Sequence, residues 1–153
     1  MKISNSEVEK RMKSFEAVCR NAGMKLTHQR MEIFREVAQT GDHPDADKVC
    51  QGVRKRIPTM SQDTVYRTLW MLKELGLITT LGTPRERTRF DANLDPHHHF
   101  VCVQCGLTRD FYSDTLGELR LPDAVKAFGE VEATRVEVKG VCLECAAGQK
   151  KAD

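Results

Sequence analysis

Four of the six cysteines form two Cys-x-x-Cys pairs, Cys102 with Cys105 and Cys142 with Cys145. Zinc prefers thiolate ligands, and two such pairs can supply all four sulfur atoms of a tetrahedral structural site. Gly106 follows the first pair and suits the tight turn of a zinc knuckle. Redox-active dithiols and disulfide bonds are the alternatives, although nothing marks secretion or a thioredoxin-like context. We therefore predict one structural Zn2+ ion held by these four residues.

Three consecutive histidines precede the first cysteine pair. A zinc ion with four thiolate ligands needs no imidazole, so these histidines suggest a second metal. In a strand that leads into the cysteine pair, His97 and His99 would share one face and His98 would lie on the other. Asp91 and Asp110 are near in sequence, and imidazole with carboxylate suits Fe2+, Mn2+ or Zn2+ better than copper. The alternative is a surface cluster that traps metals without a purpose.

The charges divide the chain into two parts. Up to Phe90 there are 17 Lys and Arg against 11 Asp and Glu, which gives +6, and after it 7 against 11, which gives −4. The basic excess indicates an acidic partner for the first part, with nucleic acid the obvious candidate. An ordinary solvated helix surface is the alternative, because +6 over this length is modest.

Apolar residues at helical spacing predict four helices in the first part. They lie at residues 7–22, after the N-cap Thr27, between the N-cap Asp45 and Pro58, and between the N-cap Ser61 and Gly76. Cys19 and Cys50 lie on or beside the apolar stripes, so we expect them to be core residues and not ligands.

The fourth helix carries polar and aromatic groups opposite its apolar stripe, namely Gln62, Thr64, Tyr66, Arg67 and Trp70. Such groups suit base edges, thymine methyls and phosphates in a major groove, although an exposed aromatic could also pack on a neighbouring helix. Two strands, at 77–81 and 87–90, surround a Gly/Pro turn and complete a winged helix. We expect the wing to meet DNA backbone or minor groove through Arg85, Arg87 and Arg89.

The second part is predicted to be a small α/β domain. Strands are expected at 100–103 and 108–112, a helix at 114–128 with a break at Pro122, and a strand at 131–141, which is favoured by its valines. The predicted fold class is therefore α+β. A winged helix-turn-helix domain occupies residues 1–91, a hinge residues 92–96 and the metal-binding domain residues 97–153.

The chain resembles the ferric uptake regulator family of metal-dependent bacterial repressors, and within it the peroxide-sensing branch. The resemblance covers residues 15–145. It rests on Leu26-Thr27-His28-Gln29-Arg30, His43-Pro44-Asp45-Ala46-Asp47, Ser61 with Tyr66-Arg67-Thr68-Leu69, Arg89-Phe90-Asp91, His97-His98-His99-Phe100-Val101-Cys102 and the two Cys-x-x-Cys pairs. It implies a transcriptional repressor that is a homodimer through its C-terminal domain and binds a double-stranded DNA operator.

The resemblance also implies a set of ligands for a regulatory Fe2+ or Mn2+ ion: His43, Asp91, His97, His99 and Asp110. His43 enters only through the resemblance. In the peroxide-sensing branch, iron-catalysed oxidation of ligand histidines, here His43 and His97, releases the repressor from DNA. Asp110 favours this branch, because iron sensors usually have Glu there. Pro96, His98 and Thr134 favour it too, because they depart from an additional metal site of the iron sensors.

Other functions remain as alternatives. The same scaffold could sense iron, or another divalent metal, by occupancy alone. A non-haem iron enzyme could use such ligands, but no general base or co-substrate motif accompanies them, so we expect no enzyme. A zinc-ribbon interaction module would not explain the basic winged helix. The charged N-terminus and the lack of a long apolar run lead us to expect a cytoplasmic protein without membrane contact.

Overall fold

The computed structural model describes residues 2–82 and 87–148. Helices and two separate sheets confirm the α+β class. The chain consists of an N-terminal unit, Met1–Leu94, and a C-terminal unit, Asp95–Asp153. The boundary falls within residues 92–96, and the role of that segment as a hinge stays a prediction. Within the described ranges, no helix has the length and apolarity needed to cross a membrane.

The N-terminal unit contains four helices and a short hairpin. These are α1 (Asn5–Asn21), α2 (His28–Ala38), α3 (Ala46–Arg54), α4 (Gln62–Glu74), β1 (Thr79–Leu81) and β2 (Arg89–Asp91), with β1 and β2 antiparallel. The predicted N-caps Thr27, Asp45 and Ser61 are confirmed, since each side chain accepts a hydrogen bond from the backbone amide three residues later. The first helix starts earlier than predicted because Ser4 caps it.

Among the described residues, the apolar stripes of the four helices form one core of 18 buried residues together with Met60, Leu77, Ile78, Phe90 and Ala92. Phe15 stacks on Phe34 at 4.8 Å between ring centroids. Cys19 and Cys50 belong to this core, as expected. Trp70 was wrongly predicted to be exposed: it is partly buried, and its ring meets Phe90 edge-on at 6.1 Å. Burying the large apolar indole against Phe90 is more favourable than leaving it exposed to water.

The C-terminal unit is a three-stranded sheet with short helices. The strands are β3 (His98–Cys102), β4 (Thr108–Phe111) and β5 (Glu137–Gly140), and the helices α5 (Asp114–Gly117), α6 (Asp123–Lys126) and α7 (Leu143–Ala146). β3 is central, antiparallel to β4 and parallel to β5.

Two predicted elements of this unit were wrong in extent. The helix expected at 114–128 with a break at Pro122 is two short helices, Asp114–Gly117 and Asp123–Lys126. Pro122 directly precedes the second, where proline cannot donate the hydrogen bond of a continuous helix. The strand predicted at 131–141 forms only over Glu137–Gly140, where it pairs with His99–Cys102 of β3. Valine content alone does not make a strand, since its backbone must also find a partner.

The second unit has a sparse core. Its described part contains one buried apolar cluster, Cys102, Cys142 and Cys145, against which Phe100, Cys105 and Leu107 pack. So few buried apolar groups contribute little to the stability of a domain of this size. The cluster around the cysteines is therefore where this unit needs further stabilisation.

Candidate metal centres and nucleic-acid interface

The two Cys-x-x-Cys pairs meet at the end of the β3–β4 connection. The four Sγ atoms all lie within 4.8 Å of one another; they belong to Cys102, Cys105, Cys142 and Cys145. The Sγ atoms of Cys105 and Cys142 are 3.8 Å apart, which matches the edge of about 3.8 Å expected for a tetrahedron with zinc–sulfur bonds of about 2.3 Å. All four are free thiols. The cluster therefore fits a closed structural Zn2+ site.

Local backbone geometry positions the first pair. The Gly106 amide donates to the Cys102 carbonyl at 2.9 Å, and Gly106 adopts a left-handed φ of 70°. Glycine is the residue that adopts this conformation without strain. The turn directs both sulfur atoms to one side, as the sequence predicted for a zinc knuckle.

Two of the four thiols have pKa values that depart strongly from the ordinary value. Hydrogen bonds from the backbone amides of Cys105 and Cys142 lower the pKa of Cys102 to about 6. Burial, together with hydrogen bonds to the other three thiols and the charge of Cys102, raises the pKa of Cys145 to about 12. Without a metal, the protein therefore favours the thiolate form of Cys102 and the protonated form of Cys145. A metal dication held by the four sulfur atoms would supply positive charge that stabilises the thiolate form of Cys145.

A second cluster of donors lies in the C-terminal unit, where His97, His99 and Asp110 converge. The Nε2 atoms of His97 and His99 are 2.9 Å apart. The Asp110 Oδ1 atom lies 3.4 Å from Nε2 of His99 and 3.8 Å from Nε2 of His97. With metal–nitrogen distances of about 2.1 Å, two ligands at right angles would be about 3.0 Å apart. The two imidazoles thus have the spacing of adjacent ligands.

Neighbouring backbone orients these donors. The register of β3 and β4 places His99 opposite Asp110. Nδ1 of His97 is 2.6 Å from the Asp95 carbonyl oxygen, so a neutral His97 that donates there keeps its Nε2 lone pair for a metal.

His98 lies on the other side of the strand, as its alternation predicted. Its Nδ1 accepts a hydrogen bond from the Val136 amide at 3.2 Å, and its Nε2 lies 3.3 Å from the Ser113 carbonyl oxygen. The side chain is buried. His98 therefore links β3 to two neighbouring segments of its unit and is turned away from the converging donors.

The N-terminal unit contains a further pair of donors, His43 and Asp91. The Phe90 amide donates to the Pro44 carbonyl at 3.0 Å, and this contact draws the loop before α3 alongside β2. As a result, the His43 Nε2 atom lies 3.5 Å from the Asp91 Oδ2 atom, and both side chains are buried. The Asn93 amide donates to Asp91 Oδ1 at 2.7 Å and orients the carboxylate.

His43 has a left-handed backbone, with φ of 50°, the only non-glycine residue of the described part to do so. Residues held in this region cost of order 1–3 kcal/mol and occur often at functional sites. No spacing rule in the sequence identifies His43, which is far from Asp91 along the chain. The resemblance was the only signal for it.

The candidate nucleic-acid interface lies on α4 and the following hairpin. Gln62, Tyr66 and Arg67 are exposed, while Thr64 is half-buried and bonded to Ser61. Arg67 Nη2 lies 2.6 Å from Asp63 Oδ2 in an exposed ion pair, which contributes little and can open. Arg87 is exposed and pairs with Asp47. Arg85 lies outside the described residues.

These features define a class of protein: a winged-helix regulator with a thiolate zinc site and separate imidazole and carboxylate donors. Residues 21–138 match the ferric uptake regulator family. The chain belongs to this family of metal-responsive, DNA-binding regulators.

Similar proteins agree with this assignment. Over 146 residues the chain is 34% identical to the peroxide-responsive repressor PerR of Staphylococcus aureus, covering 95% of this chain and 98% of that protein. Its fold is similar to that of the Helicobacter pylori ferric uptake regulator Fur, with a TM-score of 0.74 at 22% identity, covering 95% and 97% of the two chains. It is also similar to a zinc-bound manganese uptake regulator, with a TM-score of 0.66 at 27% identity and coverage of 84% and 98%.

Proposed function

We propose that this protein is a homodimeric repressor that binds a double-stranded DNA operator when a regulatory metal is bound, and that it responds to hydrogen peroxide. The observation that carries the proposal is the convergence of His97, His99 and Asp110, with Nε2 atoms 2.9 Å apart. The 34% identity to a peroxide-responsive repressor, in an alignment that covers 95% of this chain, supports the choice of signal.

We further propose that one ion is shared by the donors of both units: His43 and Asp91 from the first, and His97, His99 and Asp110 from the second. Three imidazoles and two carboxylates suit Fe2+ and Mn2+. Because these residues lie on both sides of the segment 92–96, a shared ion would restrict the movement of the two units. Metal occupancy would then select the arrangement that binds DNA.

The peroxide response is proposed to act on the ligands themselves. Bound Fe2+ would supply the electron that reduces hydrogen peroxide beside these side chains. We propose that one oxygen atom of the peroxide is then added to an imidazole carbon of His43 or His97, while the other oxygen atom leaves as water. An oxidised imidazole is a poorer ligand, so the units would lose the restraint that favours DNA binding.

The test is mass spectrometry of the Fe2+-loaded protein after a low dose of peroxide, with DNA binding measured in the same samples. We expect an added oxygen on His43 or His97 and release of DNA, while Mn2+-loaded protein stays unmodified and bound. Asp110→Glu is the matched variant, since it keeps the charge and changes the position of the carboxylate by one methylene group. We expect it to be oxidised less.

The competing function is a sensor of iron occupancy on the same scaffold, supported by the similarity of the fold to Fur. In that case iron addition and removal would govern DNA binding, and no histidine would gain oxygen. This outcome would replace the peroxide proposal and leave the DNA-binding proposal intact.

For DNA binding, we propose contacts by α4 and the wing, through Gln62, Thr64, Tyr66, Arg67, Arg85 and Arg87. The exposure of Tyr66, at 52%, supports this, because a large aromatic side chain in solvent gains from covering by a partner. Base contacts should set the sequence preference and phosphate contacts should set the salt dependence.

A further inference from the structure

Asp47 occupies an unusual position for an acidic residue on a surface that is proposed to bind DNA. It lies in the first turn of α3, beside Gln62, which is the first residue of α4. Asp47, Gln62, Tyr66 and Arg87 line the same pocket. A bare carboxylate here would repel phosphate, so its contacts decide whether it opposes or assists binding.

Both oxygen atoms of Asp47 are engaged by neighbours. Gln62 Nε2 donates to Oδ1, and Arg87 Nη1 donates to Oδ2 at 2.8 Å. Arg87 Nη1 also lies 3.6 Å from an oxygen of Asp45. The guanidinium therefore offsets the charge of Asp47, and the carboxylate is used to hold two side chains that we assigned to the DNA interface.

The contact fixes which end of the Gln62 amide faces outward. An ionised carboxylate can only accept hydrogen bonds, so the amide must turn its nitrogen towards Asp47. The carbonyl oxygen Oε1 then points away from it. In the described part of the chain, Gln62 makes no other side-chain hydrogen bond, which leaves Oε1 to accept from a ligand.

We propose that Asp47 is a positioning residue that presents Gln62 to the major groove as a hydrogen-bond acceptor, and so selects adenine or cytosine at one position of each half-site. This inference rests on the proposed DNA-binding function. Adenine N6 and cytosine N4 are amino donors in that groove, whereas guanine O6 and thymine O4 are acceptors that would repel Oε1. A single hydrogen bond of this kind should discriminate between bases by roughly 5-fold, the lower end of the range for bidentate contacts.

Replacing Asp47 by Asn gives an opposite expectation. Arg87 donates, so the Asn oxygen should stay on Arg87 and its NH2 group should face Gln62. The Gln62 amide then turns over, and its nitrogen faces the groove. We expect the preferred base at that position to change to guanine or thymine.

The experiment selects sequences from a random double-stranded DNA library with the full-length Mn2+-loaded protein and its variants. Wild type should enrich a symmetric motif with adenine or cytosine at one position of each half. Asp47→Asn should invert that position alone, and Gln62→Ala should abolish the preference there. Adding Asp47→Asn to Gln62→Ala should change the base preference no further.

Asp63→Asn is the matched control. It also removes one negative charge, here from the first turn of α4, but the Asp63 carboxylate pairs with Arg67. It should leave the Gln62 position unaltered. If Asp47→Asn selects the wild-type motif unchanged, Asp47 only stabilises its helix and the inference is overturned while DNA binding stands. If wild type enriches no sequence, the proposed function itself fails, and this inference with it.

Discussion

Replacing Cys145 by Ser should unfold the C-terminal unit while leaving the N-terminal unit almost unchanged. The reason is the composition of the two cores. In the described parts of the two units, the N-terminal core contains 18 buried apolar residues, whereas the C-terminal cluster contains Cys102, Cys142 and Cys145. In the C-terminal unit, the residues that would bind zinc are therefore the core.

The size of the effect follows from the chain that the metal closes. Between Cys105 and Cys142 the site joins a loop of about 38 residues, for which the loop-closure relation gives about 4 kcal/mol at 25 °C. The free energy of unfolding of small domains starts at about 5 kcal/mol, so this contribution is close to the whole stability of many of them. Losing the site should leave the unit unfolded or nearly so.

Three measurements check this expectation. Zinc content should fall from one ion per chain, and hydrogen exchange should show loss of amide protection over His98–Cys102. The single tryptophan, Trp70, lies in the N-terminal unit and reports its unfolding in urea by fluorescence. In Cys145→Ser, the free energy of unfolding measured through Trp70 should change by less than about 0.5 kcal/mol, because distant sites are nearly independent.

Cys50→Ser is the matched control, since Cys50 is equally a buried free thiol but lies in the other core. It should keep its zinc and its β3 protection, and it should lower the Trp70 transition by about 1–3 kcal/mol through an unpaired buried hydroxyl. The reasoning is refuted if zinc-free Cys145→Ser protein retains β3 protection, or if its Trp70 transition falls as far as that of the control.

Three further predictions concern single side chains. Ser61→Ala should lower the urea stability of the N-terminal unit by about 1 kcal/mol, because the N-cap bond to the Thr64 amide at 3.1 Å is lost; an unchanged midpoint would contradict this. Arg67→Ala should weaken operator binding by about 1–3 kcal/mol and alter base preference in a DNA titration. Uniformly weaker binding with a smaller salt slope and an unchanged base preference would instead indicate a phosphate contact. His97→Ala should weaken Mn2+ binding in calorimetry, whereas His98→Ala should keep the Mn2+ stoichiometry, and equal losses would mean that both are ligands.

The elements that depend on neighbours in sequence were predictable from it. The N-caps Thr27 and Ser61 bond to amides three residues away, so the residues that decide them lie in a single turn. The alternation of His97, His98 and His99 follows in the same way from the period of a strand. Each Cys-x-x-Cys pair was recognisable because its two cysteines lie within one turn, and the convergence of the two pairs was inferred from the four thiolate ligands that a structural zinc ion prefers.

Contacts between distant segments were not predictable from the residues themselves. Trp70 is half-buried because the hairpin places Phe90 against α4. The residues of α4 by themselves do not indicate that contact. The segment before β5 is not a strand because β3 provides pairing only for Glu137–Gly140. Pattern and propensity describe what a segment prefers, whereas its partner is set by the whole fold.

The sequence by itself thus determined the starts of α2, α3 and α4, the two Cys-x-x-Cys pairs that suit zinc and the face shared by His97 and His99. Only the tertiary structure decided that His43 lies 3.5 Å from Asp91, through the bond between Phe90 and Pro44, and that Asp47 holds Gln62. The physical reason is the distance along the sequence over which each interaction acts. Capping and strand alternation act over a few bonds, but contacts between loops depend on how helices and strands pack, which no short window of residues contains.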